Sequence, residues 1–169
     1  MNLRPFLFTA CLALSACGFH LRGEGGASAF AFRDISLQGS ATGVGGVVQR
    51  QLSLRPELKL VGAEAAEVQL AVESEALDKQ ILTVNRSGRV SEYQLTLRVR
   101  FAVRQAGVTA IPSTELTLRR DYSFDENNLL GKDAEEQALV RDMRQDAAQQ
   151  IIRRLAALKP VAGVSRPAA

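Results

Sequence analysis

Between residues 93 and 104 the chain alternates with period two. Tyr93, Leu95, Leu97, Val99, Phe101 and Val103 stand against Gln94, Thr96, Arg98, Arg100, Ala102 and Arg104, as in an antiparallel strand with one face in a core and the other in water. A second alternation follows, with Leu116, Leu118, Tyr122 and Phe124 interleaved by Thr117, Arg119 and Asp121. The residues from Gly107 to Pro112 read as the turn between them. Upstream, Val68, Leu70 and Val72 begin a strand that continues through Ile81, Leu82 and Val84. Asn85-Arg86-Ser87-Gly88-Arg89 then supplies turn chemistry for a hairpin.

Two segments change period. Val140, Met143, Ala147, Ile151, Leu155 and Leu158 recur at three- and four-residue intervals, which predicts an amphipathic helix over Asp133 to Lys159, with Asp133 and Glu136 as a capping-box-like start and Pro160 as the stop. A shorter helix is predicted from Val44 to Leu54, capped by Ser40 or Thr42 and ended by Arg55-Pro56. Its glycines, Gly43, Gly45 and Gly46, also resemble a phosphate loop, but the lysine-threonine ending is missing. Phe30 to Leu37 and, more briefly, Leu58 to Val61 complete the strands. One-sided strands and two amphipathic helices to cover them predict an α+β fold, a two-layer sandwich with both helices on one face of a mainly antiparallel sheet. The other face, bearing Arg98, Arg100, Arg119 and Asp121, is either solvated or set against another polar wall.

The chain has 169 residues, 46% hydrophobic and 23% charged, enough for one domain with a real core. Its 21 lysines and arginines against 18 acids are too balanced to coat nucleic acid. Both cysteines, Cys11 and Cys17, fall near the start, so the body has no disulfide or thiolate metal site of its own.

That start has its own pattern: a cation at Arg4, an apolar run from Phe6 to Leu14, then Leu14-Ser15-Ala16-Cys17. The layout is that of a secretory signal, too short to span a bilayer, and its end resembles the bacterial lipobox. Residues 1–16 are therefore expected to be removed and Cys17 to carry N-acyl and S-diacylglycerol chains. At roughly 0.8 kcal/mol per buried methylene, several chains anchor a protein permanently. Gly18, where an aspartate would resemble an inner-membrane retention signal, points to the outer membrane, facing the periplasm. Residues 17–29 read as a glycine- and alanine-rich tether of about 40 Å when extended, 30–159 as the single domain and 160–169 as a loose tail.

Two groups of cations lack a local explanation. Lys132 stands just before the expected N-terminus of the last helix, where the macrodipole disfavours positive charge, and Arg86 and Arg89 occupy a hairpin tip that has no need of arginine. Chain direction relates them, because the strand ending near Phe124 runs back toward that tip. The first strand, expected to run parallel to the Val68 strand, begins at the opposite end. Such a group is either a solvated loop tip or an anion site for phosphate or carboxylate. For an exported lipoprotein the abundant membrane anion is the lipid A of lipopolysaccharide, not nucleic acid.

At Cys17-Gly18-Phe19-His20-Leu21-Arg22-Gly23 the sequence resembles the opening of the LptE family of lipopolysaccharide-assembly lipoproteins. Arg86-Ser87-Gly88 with Glu92-Tyr93-Gln94-Leu95 is similar to the family's hairpin, and Phe124-Asp125 through Gly131-Lys132-Asp133 with Glu136-Gln137 to its last strand-to-helix join. The resemblance implies a two-helix, four-stranded sandwich that plugs the LptD outer-membrane barrel, helps it assemble and binds lipopolysaccharide during delivery to the cell surface. It implies no catalysis and no cofactor beyond the lipid on Cys17. By the same resemblance Arg86 and Lys132 correspond to residues implicated in lipopolysaccharide binding; Arg89, at the same hairpin, is a candidate helper that the resemblance itself does not assign. The short tail and Ser87 in the turn depart from relatives. The competing reading is a generic envelope scaffold that docks a protein without touching lipid. An enzyme is disfavoured by dispersed carboxylates, the absence of a G-x-S-x-G elbow and a single histidine, His20, beside the anchor.

Overall fold

A computed structural model of the chain describes residues 30–160; the leader, Cys17, the tether and all but the first residue of the tail lie outside them. Five strands and two helices follow in the order β1 (Asp34–Gln38), α1 (Gly43–Ser53), β2 (Lys59–Leu60), β3 (Val68–Val84), β4 (Val90–Gln105), β5 (Val108–Ser123) and α2 (Leu129–Ala156). The sheet order is β2-β1-β3-β4-β5. Strand β1 runs parallel to β2 and β3, while β3, β4 and β5 form a long antiparallel meander. The α+β sandwich expected from the pattern is thus present. The sheet has a fifth strand beyond the four implied by the resemblance, since Lys59 and Leu60 pair with Asp34 and Ile35.

The period-two residues do what their spacing requires. Leu95, Leu97, Val99, Phe101 and Val103 are fully buried, Leu97 lying between Leu77 of β3 and Leu118 of β5. Val44, Val48 and Leu52 of α1 and Val140, Met143, Ala147, Ile151 and Leu155 of α2 close over that face. Each completely buried aliphatic or aromatic side chain removes apolar area worth about 1.5–3 kcal/mol from water. The opposite face stays open and polar: Arg98 pairs with Asp78, Arg100 with Glu115 at 3.2 Å, and Gln94 with Asp121 at 2.9 Å.

Several boundaries differ from the sequence expectation. The segment from Gly107 to Pro112 is not a loop. Ala106 (φ 49°) and Gly107 (φ 79°) make a two-residue turn of the kind that suits a hairpin, and β5 starts at once. Pro112 is tolerated because β5 is an edge strand and its pairing shifts register there, between Thr114–Phe101 and Ile111–Val103. Strand β1 begins at Asp34, not Phe30. The amides of Arg33 and Asp34 bond to the Glu67 carboxylate, and Phe30 and Phe32 pack edge-to-face in the core at 5.5 Å.

The start of α1 is capped from elsewhere in the fold. Thr42 is the N-cap residue but makes no side-chain cap bond; the Val44 amide donates instead to Glu75 Oε2 of β3 at 2.6 Å. A carboxylate of the protein itself therefore sits at this helix N-terminus, where a bound phosphate would be repelled. The phosphate-loop alternative for Gly43, Gly45 and Gly46 ends there. The last helix begins four residues earlier than expected, at Leu129. Asn128 accepts from the Gly131 amide and Asp125 caps a preceding 3-10 turn, Glu126–Asn128.

Candidate functional site

The three predicted cations come from separate elements that meet at one end of the sheet. At the β3–β4 hairpin the Asn85 carbonyl oxygen accepts from Gly88 N at 3.0 Å and the Asn85 side chain accepts from the amides of Ser87 and Arg89, while Gly88 takes φ 75°. The turn is thus held by backbone and asparagine alone, and Arg86 is left exposed at its apex with no hydrogen bond or ion pair among the described residues. Arg89 reaches across to Glu126 in the 3-10 turn. That bond ties the hairpin to the start of α2, as does the Phe124 amide on the Ser91 carbonyl at 2.8 Å.

Lys132 lies in the first turn of α2 rather than before it. Its ammonium group bonds Ser123 Oγ at the end of β5 (3.0 Å) and Glu135 Oε2 one turn along (2.8 Å), with the side chain only 16% exposed. The unfavourable macrodipole is therefore offset locally by Glu135. So two of the three cations carry a carboxylate partner, and Arg86 alone of them has none among the described residues. Chain entry at Phe30 and the start of β1 lie at the other end, because β1 pairs with the first residues of β3, Val68 to Ala71.

Beneath this end the helix-facing side of the sheet carries a polar cluster that no sequence motif announced. Lys79 of β3 puts its Nζ 2.5 Å from Glu136 Oε2 of α2 and 4.3 Å from the centre of the Tyr93 ring. The buried Tyr122 hydroxyl donates to the same Glu136 oxygen at 2.5 Å. Tyr93 stacks on Tyr122 at 5.8 Å and meets Phe124 edge-on at 5.1 Å. Burial pulls the Lys79 ammonium down, but its bonds to Glu136 and Tyr122 win and leave its pKa above the ordinary lysine value. Burial, then the bond to Glu136, raises Tyr122. Burial would raise Glu136, yet the hydrogen bonds from Lys79 and Tyr122 and the Lys79 charge hold it below the ordinary carboxylate value. At neutral pH this is a fixed ion pair with a hydroxyl, a structural tie with no group poised to exchange protons. It could have been sought in the sequence only as an inward-pointing lysine on a strand, since Lys79 shares its pairing row with buried Leu95.

Comparison with known proteins decides what this arrangement belongs to. The lipopolysaccharide-assembly family model LptE matches residues 32–155, which contain the hairpin, Lys132 and both helices. The chain belongs to the LptE family. It is 32% identical over 156 residues to the LPS-assembly lipoprotein LptE of Photorhabdus laumondii, covering 90% of this chain and 84% of the relative. The LPS-assembly lipoprotein LptE of Pectobacterium atrosepticum is 30% identical over 164 residues, with 90% and 86% covered. Among solved structures, the rare lipoprotein B of Shewanella oneidensis is similar with a TM-score of 0.66 at 30% identity, covering 74% of this chain and 95% of that one. LptE is a family of lipopolysaccharide-assembly lipoproteins and not of enzymes, and this chain is a member of it.

Proposed function

We propose that this LptE chain is lipidated at Cys17, held at the outer membrane facing the periplasm, and acts as the plug of an LptD barrel that it helps to assemble. In that seat its polar sheet face lies along the hydrophilic lumen, and the end bearing Arg86, Arg89 and Lys132 binds the phosphates of lipopolysaccharide in transit. The observation that carries the reading is the convergence of these three cations, from a hairpin tip and a helix start, at the end opposite chain entry. Arg86 is free for a first contact. Arg89 would exchange Glu126 for phosphate, since an exposed pair of this kind holds only about 0–1 kcal/mol, less than a forked arginine–phosphate contact offers, and the more enclosed Lys132 would add its charge beside it.

The test is lipopolysaccharide binding by the full lipoprotein, with recovery of its barrel from detergent-extracted outer membranes. Joint reversal by Arg86→Glu and Lys132→Glu is expected to weaken binding about tenfold or more at low salt and to flatten its salt dependence. Unchanged affinity and slope would remove the site. The pairing of Arg89 and Lys132 with carboxylates favours one second reading, an envelope scaffold that docks protein only. Recovery of a soluble periplasmic partner without a barrel, together with no lipid binding, would select it.

A further inference from the structure

The apolar surface of this end is as unusual as its charge. Of the nine large hydrophobic residues exposed among the described residues, Ile81, Leu82, Val84, Leu129 and Leu130 stand here, Leu130 being 89% exposed. They are uncovered for two separate reasons. Strand β1 stops opposite Ala71, so beyond Ser74 the outer edge of β3 has no neighbouring strand. The buried stripe of α2 begins only at Val140, so its first two turns are tied to the sheet by Lys132 and Glu136 and leave Leu129 and Leu130 uncovered. The Arg89–Glu126 and Phe124–Ser91 bonds bring the two uncovered segments together around the hairpin. Scattered exposed leucines need no explanation, but aliphatic side chains gathered at one end mark a binding surface.

We infer that Ile81, Leu82, Val84, Leu129 and Leu130 receive acyl chains of the lipid whose phosphates Arg86 meets, making the end a site for an anionic amphiphile rather than for a phosphorylated sugar alone. The inference rests on the lipopolysaccharide-binding reading and deepens it. What selects this occupant is complementarity: exposed aliphatic groups share one end of the sheet with an exposed arginine that has no hydrogen-bond or ion-pair partner among the described residues, which matches a molecule with a negative head joined to hydrocarbon tails. The same side chains then make affinity depend on acylation, with Arg86 contributing equally to acylated and deacylated forms.

The experiment uses the full chain in phosphatidylcholine nanodiscs, with empty nanodiscs as baseline. Two probes are compared: hexa-acylated lipid A and the same bisphosphorylated disaccharide with every acyl chain removed. Two independent double variants, Leu129→Ser with Leu130→Ser and Ile81→Thr with Val84→Thr, change exposed positions only, and unchanged melting temperatures verify the fold. Each is expected to weaken lipid A binding about tenfold and to leave the deacylated probe unaffected, whereas Arg86→Glu weakens both. Aliphatic variants that bind lipid A like the parent, while Arg86→Glu loses both probes, would overturn the acyl-chain site and leave phosphate binding standing. Aliphatic variants that keep lipid A but lose the co-purifying barrel would overturn it in favour of a protein contact. A parent chain that binds neither probe would instead overturn the lipopolysaccharide reading itself.

Discussion

Lys79 on β3 and Glu136 on α2 meet at 2.5 Å across the helix–sheet interface, and the same carboxylate oxygen accepts the Tyr122 hydroxyl. One oxygen thereby joins β3, β5 and α2 at the point where the helix has no buried apolar side chain. Replacing Glu136→Ala leaves a buried tyrosine hydroxyl without its acceptor and an ammonium over the Tyr93 ring without its counter-charge. A loss of about 2 kcal/mol in urea denaturation is expected, with the slope against urea unchanged because the same surface is exposed on unfolding. A loss within error would show that water replaces the carboxylate at no cost.

The acid limb of stability should carry the same residue's signature. Glu136 is held below the ordinary carboxylate value of 4.5 in the folded chain, so its contribution is complete above that value and disappears as pH falls through the lower folded value. Lys79 is raised above 10.5, so its contribution is complete below 10.5 and is lost as pH rises further. The stability difference between parent and Glu136→Gln should therefore be flat near neutrality and shrink below about pH 4.5. A difference that grew on acidification would contradict the assigned bonding.

Charge reversals at the two predicted binding cations should separate in stability although both face the same end. Arg86 is exposed and makes no hydrogen bond or ion pair among the described residues, and Arg86→Glu should leave the melting temperature unchanged. Lys132 is mostly enclosed and bonded to Ser123 and Glu135, so Lys132→Glu places two carboxylates one helical turn apart. A decrease of a few degrees, roughly 1 kcal/mol, is expected by thermal melting. Equal melting temperatures would mean that the lysine is not held as described.

Much of the fold was legible because its long strands and its last helix obey single periods. Leu95 to Val103 and Val140 to Leu155 are buried where their spacing puts them, and the parallel direction of β1 relative to β3 followed from connection rules alone, though not the order of the strands. What escaped depends on contacts distant in sequence. No local pattern marks Glu75 as the cap of α1, 31 residues away, and Asn128 displaced the helix start because an asparagine cap outcompeted the Asp133–Glu136 pattern. The candidate site shared this division: chain direction brought Arg86 and Lys132 to one end, but the carboxylates that neutralise Arg89 and Lys132 could not be assigned from order in the chain.

The Ala106-Gly107 turn offers a stabilising change. Ala106 adopts φ 49°, in the left-handed region where a β-carbon is crowded, and Gly107 follows at φ 79°. Asparagine tolerates this conformation better than alanine, and Asn-Gly is the preferred pair for a two-residue hairpin. Ala106→Asn should add about 0.5–1 kcal/mol in urea denaturation, and an unchanged or lower midpoint would count against the turn geometry.

Glu75 gives the sharpest test of how the two helices are coupled. Its Oε2 accepts from the Val44 amide at the head of α1, and its Oε1 accepts from Arg144 of α2 at 2.7 Å. Glu75→Ala removes a helix cap and frees a half-buried guanidinium at once, so about 2 kcal/mol should be lost. Glu75→Gln keeps an oxygen for Val44 N but gives up the charge on Arg144 and at the helix dipole, and should cost less than half as much. Glu73→Ala, two residues earlier on the same strand, removes only an exposed bond from Ser113 and should be close to neutral. If Glu75→Ala were as mild as Glu73→Ala in urea titration, the carboxylate would not be the element that joins α1 to α2. The order of the three variants, rather than any single value, carries the result, because all three share one strand and one unfolded state.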